Sequence, residues 1–194
     1  MSKLIGPMVL CVMISVATQT IAQDAFISQI GDRHRAANLS TVSDLSIYQS
    51  GRANAAAQIV VGEGNLAVTI QDGEQNQSAA AIIGQDNTFA TVQLGAKNAS
   101  TTFVSGDRNL VGMFQDGNLN QSRLSLTGND ARIGVVQVGV GRKSDVTIVD
   151  DIGGFEAAVL QGPSSDPVWV NIYRDSAGTT MVQPGTATTI LQFR

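Results

Sequence analysis

The side chains whose types and spacing let them act together are amides. Gln49, Gln71, Gln93, Gln115 and Gln137 recur every 22 residues, and Asn54, Asn65, Asn76, Asn87, Asn98, Asn109 and Asn120 every eleven. An amide carries both donor and acceptor, so identical amides stacked at a strand rise of about 4.8 Å bond to the copy above and the copy below. Buried without such partners, each would cost about 1–3 kcal/mol. The chemistry this spacing offers is cohesion rather than turnover.

Residue types that support catalysis or metal binding are scattered by comparison. His34 is the single histidine, so a Ser-His-Asp relay or a histidine metal site would have to centre on it. It lies between Arg33 and Arg35 at an Asn position and reads as a turn residue. Asp150, Asp151 and Glu156 could supply the carboxylate pair of a glycan-cleaving site; a solvated insertion loop is the preferred reading. Trp169 and Tyr173 suit sugar stacking, or cover an exposed end. The turn aspartates lack the fixed columns of nine-residue calcium-binding rolls. Thr179, Thr180, Thr186, Thr188 and Thr189 do not form the regular array of an ice-binding face. No catalytic site, metal or cofactor is expected.

The elements that position the amides follow from glycine. Gly51, Gly62, Gly73, Gly84, Gly95, Gly106, Gly117, Gly128 and Gly139 are spaced by eleven throughout. Asn follows three residues after the first seven; Ala131 and Arg142 hold the last two places. Two residues before each Gly, Gln alternates with an aliphatic such as Val60, Ile82, Val104 or Leu126, so the full repeat is 22 residues in two unlike halves. Between glycines the pattern has period two, as in Leu45, Ile47, Gln49 and then Asn54, Ala56, Gln58, Val60. Each half is expected to be one strand of about six residues and one turn of about five. Gly supplies positive φ at the turn and Asn supplies side-chain bonding to the backbone. Stacked strand-turn-strand coils make an all-β solenoid with two facing parallel sheets. Its interior mixes aliphatics and amides with Ser43, Ser78, Ser100, Ser122 and Ser144.

The repeat is regular over 43–149 and worn on both sides. In 23–42, Gln29 and Gly31 fall two residues short of register and His34 takes the Asn column. In 150–194, the stretch Asp150 to Gly154 absorbs an insertion of two, Gln161 and Gln183 resume the 22-residue spacing, and Pro163, Pro167 and Pro184 fall at turns or edges. About eight coils are expected on a 22-residue period.

Only 14% of residues are charged, against a usual quarter or so, which suits repeats more than an ordinary globule. Residues 1–22 read as a secretory signal: Lys3, an apolar run from Met8 to Val16, and Thr20-Ile21-Ala22 as the cleavage site. The run is too short to span a bilayer well. Cleavage after Ala22 removes Cys11, the only cysteine, and leaves no disulfide; Leu10 argues against Cys11 as a lipidation site. Without Lys3 the basic residues fall from 12 to 11 against 16 acidic ones, a net charge of −5. That balance disfavours nucleic acid or an anionic membrane as partner.

A ladder satisfies its amides only while coils continue. The first and last coils should therefore present open strand edges and half-satisfied columns. Repeat proteins ordinarily cap such ends, yet no amphipathic capping helix is visible in the sequence. Another copy of the chain is the natural partner. Asp72, Asp86, Asp107, Arg108, Asp116 and Asp130, all in turns, are expected to act as charged gatekeepers against premature association.

The segment Ser43 to Gln58, SDLSIYQSGRANAAAQ, resembles the curlin repeat through Ser43, Gln49, Gly51, Asn54, Ala56 and Gln58. TIQDGEQNQSA, TVQLGAKNAST, MFQDGNLNQSR and VVQVGVGRKSD are further copies, and the resemblance covers 43–148. It implies a subunit of curli fibres: a functional amyloid secreted across the outer membrane of a Gram-negative bacterium, polymerising with itself on the cell surface for adhesion and biofilm matrix. It further implies an outer-membrane secretion channel, a periplasmic accessory factor and a sister curlin subunit as partners, with Gln23 to Ala37 as the export end. The second-half Gln is mostly replaced by an aliphatic here, so nucleator, major subunit and divergent relative all stay open. The alternative is a non-polymerising, surface-attached solenoid that binds or acts on glycans.

Overall fold

Period-two alternation over seven to nine residues, broken by a glycine of positive φ, dictates short strands joined by corners. The computed structural model describes residues 25–163, 167–174 and 180–184. The leader with its cleavage site, Gln23 and Gly185 lie outside the described residues.

Thirteen strands make up the described elements. They are β1 (Ala25–Asp32), β2 (Arg35–Arg52), β3 (Ala55–Glu74), β4 (Gln77–Ile83), β5 (Thr88–Ala96), β6 (Ala99–Ser105), β7 (Leu110–Asn118), β8 (Gln121–Gly128), β9 (Arg132–Val140), β10 (Lys143–Asp150), β11 (Glu156–Gln161), β12 (Val168–Arg174) and β13 (Thr180–Pro184). All pairings are parallel except that of β12 with β13. The result is a β-solenoid. One sheet, which carries the Gln column, stacks β1, the second halves of β2 and β3, then β5, β7, β9 and β11. The other, richer in aliphatics, stacks the first halves of β2 and β3, then β4, β6, β8, β10 and β12. Each sheet has seven parallel rungs.

The register places like on like. Gln71 pairs with Gln93, and Gly73 with Gly95; Gln93 pairs with Gln115, and Gly95 with Gly117. Departures are local. Gln29 pairs with Gln49, and the offset of 20 becomes 22 through irregularities between Ser40 and Ser43. Asp150 pairs with Gly128 whereas Ala157 pairs with Ile133, so the two extra residues sit in the corner between them.

The core is a thin slab between the sheets. Leu45, Ile47, Ala67, Phe89, Val111, Met113, Ile133 and Val135 face Val60, Ile82, Val104, Leu124, Leu126, Val146 and Ile148, all buried. Full burial of each larger aliphatic contributes about 1.5–3 kcal/mol. Thr69, Thr91 and Thr102 join this core, as do the serines at 43, 78, 100, 122 and 144.

Two expectations need correction. The strands are longer and the turns shorter than six and five: β5, β7 and β9 have nine residues each, and β2 and β3 run through a corner with 18 and 20. Every coil bends alike, so backbone pairing from coil to coil survives the bend. Nor is there an eighth parallel rung among the described residues. Gln183 pairs antiparallel with Asn171 on β12, in the aliphatic sheet. Arg174 occupies the corner column of Asp150 and Gly128.

Candidate functional site: the amide columns

Each Gln enters the core because it stands an even number of residues from the inward aliphatics of its strand. None of the five glutamines or seven asparagines singled out by spacing is more than 2% exposed. Their polar groups therefore need protein partners. Along the Gln column, Nε2 of each residue donates to Oε1 of the next at 2.7 Å, from Gln49 to Gln71, Gln93, Gln115 and Gln137. The same contact extends the ladder down to Gln29 and up to Gln161.

The second amide hydrogen crosses the slab. Gln49 donates to the Arg35 carbonyl at 3.0 Å, Gln71 to Ala55 at 3.0 Å, Gln93 to Gln77 at 2.8 Å, Gln115 to Ala99 at 3.0 Å and Gln137 to Gln121 at 2.9 Å. The column thus ties coil to coil and sheet to sheet.

Asn works differently at the two corners. In the column of Asn54, Asn76, Asn98 and Asn120, Oδ1 accepts the backbone N–H of the next column member at 2.9 to 3.1 Å. Nδ2 donates to the corner glycine carbonyl of the next coil, as Asn54 does to Gly73 and Asn76 to Gly95. In the column of Asn65, Asn87 and Asn109, Nδ2 also reaches Oδ1 of the Asn below at 3.0 Å. Ala131 and Arg142, which replace Asn, still donate their backbone N–H to Asn109 and Asn120. At the other end His34 performs the Asn role: its Nδ1 accepts the Asn54 N–H at 3.3 Å and its Nε2 lies 3.0 Å from the Ile30 carbonyl. Those partners select the tautomer protonated on Nε2.

All nine predicted glycines have positive φ, between 96° and 151°. At Gly73 a Cβ would overlap the Gly95 carbonyl, so the stack excludes side chains there. Sequence reasoning missed the residue two places after each glycine. Ala53, Gln75, Asp86, Lys97, Arg108, Leu119 and Asp130 all take φ of 54° to 61°. Only Gly64 and Gly141 put a glycine at that position.

The charged turn residues are partly structural. Arg108 forms a two-pronged ion pair with Asp130 on the next coil, both bonds 2.7 Å, and these bonds hold the Asp130 carboxyl below its ordinary value. Asp107 Oδ1 accepts the Gln85 N–H at 2.8 Å. Asp150, read as part of a solvated loop, is instead buried and paired with Arg174 at 2.7 Å through both oxygens. Arg174 also bonds the Gly153 carbonyl and lies over the Phe155 ring, 5.6 Å from its centroid. Burial pushes the Asp150 carboxyl up, but bonds from Arg174 and from the Ile152 and Gly153 N–H groups, with the Arg174 charge, outweigh it and leave the carboxyl below its ordinary value. Glu156 pairs separately with Arg132 at 3.2 Å, so the suggested carboxylate pair is not assembled. A 24-residue separation between Asp150 and Arg174, equal to the local register after the insertion, is the signal that could have found their pairing.

Neither the curated proteins nor the solved structures give a match to this chain. Residues 106–139 match the family model described as the curlin associated repeat. That stretch holds Gly106, Asn109, Gln115, Gly117, Asn120, Gly128, Gln137 and Gly139, and the coils on either side repeat its columns in the same register. Over residues 106–139 the chain is similar to the curlin associated repeat.

Proposed function

We propose that the protein is a non-enzymatic extracellular subunit whose coils stack end to end into curli-type amyloid fibres, serving surface adhesion and biofilm matrix. One observation carries this reading. The Gln ladder runs unbroken through seven rungs and reaches Gln29 on β1, an edge strand whose Oε1 receives no donor from the described residues. The first half of β2 and strand β11 are likewise paired on one side only among the described residues. Parallel edges and an unfinished amide column are what a further copy can complete. Under this reading the protein leaves a Gram-negative cell by its signal peptide and an outer-membrane channel, with a periplasmic accessory factor and a sister curlin subunit as partners.

The test is polymerisation of the mature chain. Thioflavin-binding fibres with a meridional spacing of about 4.8 Å, and a lag that seeds abolish, are expected. A monomer that stays soluble for days at high concentration would overturn the reading.

A second reading has one specific support. Trp169 lines a shallow cleft of about 500 Å³ on the outside of the aliphatic sheet with Phe103, Arg123, Asp145 and Asn171. Two aromatic rims over a polar floor suit a sugar. Glycan-array binding lost in Trp169→Ala, without fibres, would favour a surface-attached glycan-binding solenoid.

A further inference from the structure

The outer face of the Gln sheet carries no charge along its two central columns. One column reads Phe26, Ser46, Val68, Ala90, Gly112, Gly134 and Ala158; the next reads Ser28, Tyr48, Ile70, Val92, Phe114, Val136 and Leu160. Tyr48, Ile70 and Leu160 are 42%, 38% and 48% exposed. A mostly apolar face of this kind, broken by Ser28 and Ser46 at one end, marks an interaction surface.

The two columns are complementary rung by rung. Phe114 shares a rung with Gly112; Val136 shares one with Gly134, Leu160 with Ala158, Val92 with Ala90 and Tyr48 with Ser46. On β1 the order is reversed, with Phe26 beside Ser28. A two-fold axis running along the stack between the columns would place the large residue of a rung opposite the small residue of the same rung in a second copy, except on β3, where Val68 and Ile70 are both large. Phe114 would then face Gly112 of the partner subunit. Gly112 and Gly134 need no positive φ, and a Cβ on either would meet nothing within 4 Å. Glycine within a strand weakens it and commonly marks close approach by another backbone.

We propose that this face is a homotypic interface, on which a second copy of the chain packs face to face about an axis parallel to the stack. The extent of the face suffices. Seven rungs at about 4.8 Å and a strand width of about 20 Å, which takes in the flanking columns of Asp44 and Asp72 beside the two central ones, offer roughly 650 Å² per copy, or about 1,300 Å² in total, within the range of specific interfaces. The axis keeps both stacks pointing the same way, so pairing is compatible with growth at the ends and does not require it. The contact is a dry interdigitated seam between paired sheets.

Two measurements on the full mature chain test it, one independent of fibre growth. Sedimentation of the soluble chain at micromolar concentration is expected to show a dimer, which Val136→Lys reduces at least tenfold in affinity. Gly134→Leu fills the trough from a position where a Cβ meets nothing within 4 Å and should do the same with an unchanged melting temperature. Ser125→Lys, on the outside of the other sheet, should leave the dimer intact. In fibres, mass per length by electron microscopy should be twice that of a single stack and halve in Gly134→Leu, with thioflavin growth rates retained. A monomer throughout with single-stack fibres would overturn the proposal. So would binding of the wild-type monomer to phosphatidylglycerol vesicles that Val136→Lys abolishes, since the face would then serve a lipid surface.

Discussion

Gln93 donates one amide hydrogen to Gln115 Oε1 at 2.7 Å and offers the other to the Gln77 carbonyl at 2.8 Å, so a single side chain joins two coils and both sheets. Gln93→Leu would strand the Gln77 carbonyl, the Gln115 Oε1 and one hydrogen of Gln71 in the core. A loss of about 3 kcal/mol is expected, read as a lower urea midpoint. Replacing Gln49 or Gln137 by Leu should likewise slow fibre growth. Replacing Gln75, exposed in a corner, should leave the growth rate near wild type; equal slowing at all these positions would refute the ladder account.

Asn98 donates from Nδ2 to the Leu94 and Gly117 carbonyls, both at 2.9 Å, and accepts the Asn120 N–H at 3.1 Å. Asn98→Asp keeps the shape and the acceptor but aims a carboxylate oxygen at two carbonyls. The melting temperature should fall more in Asn98→Asp than in Asn98→Ser at neutral pH, with the gap closing in acid as the carboxyl protonates.

Leu119 has φ 61° and is 51% exposed. An L residue in this conformation costs about 1–2 kcal/mol, while glycine loses more freedom on folding. Leu119→Gly should be net stabilising by about 0.5–1 kcal/mol, measured by urea unfolding. The same change at Leu110, in β7, should destabilise.

Asp150 and Arg174 set the acid limit of the C-terminal coils. Because the folded carboxyl lies below its ordinary value, its contribution is complete above the ordinary aspartate value and is lost as pH falls through the folded one, below about pH 4. Asp150→Asn should cost about 3 kcal/mol at pH 7, since it leaves a largely buried guanidinium without its counter-charge. The difference in melting temperature between wild type and variant should narrow as pH drops under 4.

The coils were legible because each residue type repeats in its own column. Glycine every eleven residues located both corners, and the alternation of Gln with an aliphatic separated the two sheets. The insertion near Asp150 could be placed because Gln161 lies 24 residues beyond Gln137. Spacing does not encode strand direction, however, and Gln183 fits the 22-residue frame while pairing antiparallel. The residue before each corner Asn left no signal, since Ala, Gln, Asp, Lys, Arg and Leu all serve there. That conformation is imposed by the bend rather than chosen by residue type. The Asp150–Arg174 pair was missed because two acids and a glycine-rich stretch resemble a surface loop until β12 is laid on β10.

Strand β13 gives the molecule a direction. At one tip, β1 and the first half of β2 offer two parallel edges among the described residues. At the other, among the described residues, β11 pairs only with β9, and β12 is occupied by a strand running the opposite way. An antiparallel strand cannot hand the parallel register onward, so a newcomer at that tip must displace β13 or dock on half a coil. A filament stacked from such subunits would be a vector: its two tips would lengthen at different rates, and a surface-bound fragment would extend away from whichever tip it leaves free.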